Sequence, residues 1–78
     1  MSASAHEILV DARGLEPPEP MERVMQTLSL LRPGQTIRLL LHREPFPLYR
    51  ALQLNKVAWQ TERQPDGSFE ILMWHKPG

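Results

Sequence analysis

Two short stretches hold most of the side chains that could do chemistry. His42 and Glu44 stand two apart in "HRE", where an apolar run ends. An imidazole binds metals or shuttles protons near neutral pH, and a carboxylate beside it can orient the ring. Residues two apart on an extended chain point to the same face, so the spacing suits such a pair. It supplies only two candidate metal ligands, whereas a catalytic zinc takes three from the protein. His42 as an acid/base residue, oriented by Glu44 or Asp11, is a second reading, and His42 as a haem axial ligand a third. The bland alternative is a histidine hydrogen-bonded to the turn that ends its strand.

The second stretch is "DARGLEPPEP", residues 11–20, which places Asp11, Arg13, Gly14, Glu16 and Glu19 just ahead of a helix. Unpaired N–H groups at a helix start attract anions, and Arg13 would serve as a charged clamp. Glu16 and Glu19 oppose an anion. In the structural alternative Asp11 and Arg13 pair or cap the turn, and Gly14 supplies a backbone angle. The stretch contains no serine, threonine or cysteine, so it offers no nucleophile of those kinds.

The elements that position these groups follow from pattern. "HEILVD" (6–11) reads as a strand. Met21, Val24, Met25, Leu28 and Leu31 recur at steps of three and four, an amphipathic helix with Pro20 in its first turn and "RPG" (32–34) as its stop. In that helix Met21 and Met25 read as core residues, with a metal or haem role as the minor alternative. "TIRLLLH" (36–42) is a second strand, and the crossover predicts that it runs parallel to the first. A shorter helix is predicted over 48–54, where Leu48, Ala51 and Leu52 share a face. "VAWQTER" and "SFEILMW" flank the turn cluster "QPDG", an antiparallel hairpin.

This order brings Asp11, Arg13, Glu16, Glu19, His42, Arg43 and Glu44 toward one sheet edge, beyond the carboxyl ends of the parallel strands, where ligands commonly bind. His6 and His75 fall at the opposite pole, separated from His42 by roughly 20 Å at about 3.3 Å per residue, with His75 expected in a frayed tail. Phe46, Leu48 and Tyr49 are read as core or as an apolar rim beside His42. Trp59 and Trp74, on neighbouring strands, are read as a cross-strand pair, a cover for the core or a stacking platform.

The chain of 78 residues carries nine basic and nine acidic side chains and no cysteine. It is read as one domain, 1–78, with flexible ends at 1–5 and 76–78. Charge balance weighs against nucleic acid unless Arg38, Arg43, Arg50, Lys56 and Arg63 make one contiguous face. The absence of cysteine excludes disulfides and any thiol chemistry carried by the chain. With no signal peptide or spanning run in the sequence, a cytoplasmic setting without membrane contact is expected. An uncovered sheet edge makes a monomer or a weak homodimer the expected state.

The order βαβαββ and "DARGLEPPEP" together resemble the TusA/SirA-like sulfur-carrier superfamily, whose signature is D-x-R-G-x-x-C-P-x-P. Asp11, Arg13, Gly14, Pro18 and Pro20 match, and Pro17 stands where the persulfide-carrying cysteine would be. With "HREPFPLY" and "QPDGSFEIL" included, the chain is more similar to a cysteine-less sister branch, a domain of unknown function found alone or beside hemerythrin-like domains. The resemblance implies an α+β two-layer sandwich, with a mixed four-stranded sheet ordered 1-2-4-3 whose fourth strand runs antiparallel to the others. Helices on one face of such a sheet bury a single core. The functional expectation is a non-catalytic binding or accessory module meeting a small ligand or partner protein at the Asp11–Arg13/His42–Glu44 edge. An acid/base enzyme or a metal- or haem-binding redox accessory protein using His42 is the alternative.

Overall fold

The computed structural model describes residues 6–77; the expected flexible segment 1–5 and the terminal residue 78 lie outside the described residues. The element order is β1 (Glu7–Asp11), α1 (Glu19–Leu30), β2 (Thr36–Leu41), α2 (Phe46–Leu54), β3 (Val57–Arg63) and β4 (Phe69–His75). The strands form one sheet in the order β1-β2-β4-β3. β1 lies parallel to β2, and β4 is antiparallel to both β2 and β3. This is the α+β sandwich expected from the sequence. No described helix is long and apolar enough to cross a membrane.

Alternation along the strands decides which face is buried. Val10, Ile37, Leu39, Leu41, Val57, Ile71 and Met73 point inward and pack with Val24, Leu28, Leu48 and Leu52 from the two helices. The uncovered face carries Leu9, which is 59% exposed. Arg38 lies beside Leu9 and Leu72 in register and pairs with Glu70 and Glu7.

Four local expectations are corrected. β2 ends at Leu41, not His42, because Leu41 pairs with Phe69, the first residue of β4, and beyond it no partner strand remains. α2 begins two residues early, at Phe46: Pro47 is tolerated in the first turn, where its missing N–H has no intrahelical acceptor, and the Leu48 N–H reaches Pro45 O at 2.9 Å. Trp59 pairs with Met73 while Trp74 pairs with Ala58, one step out of register, so the two tryptophans face opposite sides and form no joint platform. His75 is a paired, half-buried strand residue, not a frayed one, and its Nε2 lies 3.2 Å from Leu31 O.

The hairpin turn is built as its residues suggest. The Gly67 N–H bonds to Gln64 O at 2.9 Å and the Gln64 N–H to Ser68 O at 2.8 Å, with Gly67 in the left-handed region at φ 90°. That is a type I turn followed by a glycine bulge. Asp66 Oδ1 accepts from both the N–H and the hydroxyl of Ser68, at 2.9 and 2.6 Å, which satisfies a buried serine and holds the Asp66 carboxyl below its ordinary range.

Candidate functional site

Where β1 ends, Ala12 is buried and its N–H bonds to Leu40 O at 2.9 Å. The Leu15 N–H then returns to Ala12 O at 3.2 Å, with Gly14 at φ 86°. A positive φ at the third residue is the requirement of a type II turn, which explains the glycine. Asp11 and Arg13 lock this turn from outside. Arg13 Nε and Nη2 donate to the two Asp11 oxygens at 2.9 and 2.8 Å, and the Arg13 N–H adds a third bond at 3.2 Å. Arg13's side chain first, then its backbone N–H, holds the Asp11 carboxyl at about 2, with a smaller contribution from the charge of His42. "D-x-R-G" is therefore a self-contained turn whose guanidinium is already engaged.

Beyond it the chain passes through Glu16, Pro17 and Pro18, with a cis Pro17–Pro18 peptide and the Glu19 N–H on Glu16 O at 2.9 Å. Pro20 has no N–H, and the Glu22 N–H bonds to Pro18 O at 3.1 Å. The start of α1 thus has few donors left for an anion, and Glu19 and Glu22 sit in its first turn.

The starts of α1 and α2 and the end of β2 border an open cleft of about 910 Å³. Its apolar lining includes Ala12, Leu15, Met21, Val24, Leu39, Leu41 and Leu48, together with Pro17, Pro18 and Pro20 from one side and Pro45 and Pro47 from the other. Glu16, His42, Arg43 and Glu44 supply its polar groups. The size and the mainly apolar walls with a few polar groups are those of ordinary ligand sites.

Glu44 is held in place. Tyr49 donates its hydroxyl to Glu44 Oε2 at 3.0 Å and lies 2.7 Å from Thr61 Oγ1 on β3. The Tyr49 ring stacks on Trp59 at 5.4 Å and 7° between planes, and Phe46, 66% exposed, meets its edge at 6.0 Å. Burial, followed by the Glu44 hydrogen bond and charge, raises the Tyr49 phenol above its ordinary value; the Thr61 bond works against this.

Residues 9–75 match the family described as "Uncharacterized conserved protein (DUF2249)". The chain belongs to that family. The solved SirA-like protein from Desulfitobacterium hafniense is similar in fold, with a TM-score of 0.76 at 19% identity over 85% of this chain and 93% of that one. No curated protein matches the chain.

In this DUF2249 domain Gly14, Glu16, His42, Arg43 and Glu44 of the expected site line the cleft. Asp11 and Arg13 pair with each other beside it, and Glu19 faces Arg23 at 3.8 Å on the helix surface. His42 is exposed in the bend after β2 and has no hydrogen bond to Glu44 among the described residues. No group of three or more His, Cys, Asp or Glu side chains gathers to hold a metal among the described residues. The basic residues do not make one face: Arg38 lies on the open sheet face, Arg43 at the cleft, and Lys56 at the far end of the sheet, before Val57 and its partner His75. The proline walls were missed as a site because each proline reads singly as a turn former. Their signal was the repetition of proline at 17, 18 and 20 and at 45 and 47, ahead of both helices.

Proposed function

We propose that this DUF2249 domain is a non-catalytic binding module whose ligand, a small molecule or a side chain of a partner protein, enters the proline-walled cleft. Its apolar body packs on Leu15, Met21, Leu41 and Leu48, and its polar end meets Glu16, His42, Arg43 and Glu44. The cleft itself carries the proposal: an apolar concavity of about 910 Å³ with four ionisable side chains in its lining. Persulfide transfer does not fit, since Pro17 lines the cleft where the sulfur carriers have their cysteine.

The acid/base reading of His42 keeps one supporting observation, a substrate-sized space beside the ring. The expected orienting carboxylate is engaged elsewhere, with Glu44 bonded to Tyr49 and Asp11 to Arg13. Binding is therefore the better reading.

A ¹H–¹⁵N NMR titration with a set of aliphatic, aromatic, cationic and anionic fragments, divalent metals and haem tests it. The expected result is amide shifts confined to residues 12–24 and 41–48 for some members of the set. Unmoved signals there for every member would sink the proposal.

A further inference from the structure

We infer that the cleft selects a ligand whose apolar body bears a primary ammonium group, and that Glu44, held by Tyr49, receives that group. The inference rests on the cleft being a binding site and names what it takes. Glu44 differs from the other ionisable groups in the lining. Glu16, His42 and Arg43 have no ion pair or side-chain hydrogen bond among the described residues, and all three are exposed. A charge free to move in water contributes little to recognition.

Glu44 is a half-buried residue whose carboxylate is tethered through Oε2 to Tyr49, which is itself bound to Thr61 and stacked on Trp59. Its position is thus set before a ligand arrives, so less side-chain freedom is lost on binding. Oε1 has no partner among the described residues, and an ionised carboxylate accepts at both oxygens.

Glu16 contributes a second carboxylate from the α1 side of the same cleft. Arg43 shares the lining and disfavours a polycation. One ammonium on a hydrocarbon body satisfies both the tethered carboxylate and the apolar walls.

Parallel NMR titrations with n-hexylammonium chloride and n-hexanol test the inference. The expected result is that both move cleft amides and that the ammonium compound binds about tenfold tighter, the size of one charge-assisted hydrogen bond. Glu44→Gln should reduce that ratio to about twofold or less, and Tyr49→Phe should give an intermediate ratio. In the unaltered protein, added salt should weaken hexylammonium and leave hexanol unchanged, a readout that needs no variant to fold.

Equal affinities, or an ammonium preference that survives Glu44→Gln, would overturn the inference. If both compounds leave the cleft amides still while another fragment moves them, the ammonium inference falls and the cleft proposal stands. If no probe moves them, both fall.

Discussion

Tyr49 reaches back from the first turn of α2 to hold Glu44, with its hydroxyl 3.0 Å from Oε2 and its ring stacked on Trp59 of β3. One residue thereby ties the cleft to the far edge strand of the sheet. It also explains why Glu44 does not orient His42, although the two are only two positions apart. Once β2 has ended, the chain bends and the extended-strand geometry no longer applies.

This contact has a direct optical readout, because Tyr49 is the single tyrosine in the chain. Its phenolate absorbance on alkaline titration should give a midpoint above the ordinary 10.0. Glu44→Gln removes a carboxylate that disfavours the phenolate, so the midpoint should fall toward that value. An unchanged midpoint would show that the hydroxyl does not meet Glu44 in solution.

The Asp11–Arg13 fork predicts a specific acid response. The Asp11 carboxyl sits at about 2 in the folded protein against 3.8 ordinarily, so it stabilises the fold above the ordinary value and loses that contribution as pH falls toward 2. Both side chains are nearly half exposed, so the effect is modest. Melting temperatures taken between pH 5 and pH 2 should fall less steeply for Asp11→Asn than for the unaltered protein. Parallel curves would rule out the fork as an acid-sensitive element.

Left-handed backbone at two positions predicts substitutions of opposite sign. Gly14→Ala places a side chain at φ 86° with no atom near to clash, so backbone strain alone should cost about 1 kcal/mol. Lys56 holds φ 57° just after α2, where glycine is the usual residue, and Lys56→Gly should stabilise by about 0.5 kcal/mol after the added unfolded-state freedom is offset. Urea denaturation of both variants checks this pair of signs.

Much of the fold was legible because local signals agreed with one another. Met21, Val24, Met25 and Leu28 follow helical spacing and all meet the core, Val24 and Leu28 within it and the methionines against it. The glycine and aspartate of "QPDG" stand where the hairpin needs a left-handed residue and a side-chain acceptor. The site was legible as a place and only in part as an arrangement. A parallel β1/β2 pair puts Asp11 and His42 at one edge, and the cleft is there. Which groups remain free is only partly encoded by spacing: the Asp11–Arg13 pair is legible two residues apart in the turn, whereas the bond from Tyr49 to one oxygen of Glu44 depends on where β2 ends and α2 begins. The tryptophans show the same limit, since a single step in register separates a cross-strand pair from two opposite faces.

If a ligand sits in the proline-walled cleft, a thiol placed on the cleft wall is shielded when the ligand binds. The chain has no cysteine, so Pro17→Cys introduces one reporter in the cleft and Glu62→Cys a control on exposed β3. Alkylation rates with N-ethylmaleimide are measured with and without saturating amounts of the tightest-binding fragment. The expected result is at least about threefold protection at position 17 with none at position 62, as occlusion of a thiol by a bound ligand requires. Equal rates at position 17 with and without the fragment would mean that the fragment does not bind in the cleft.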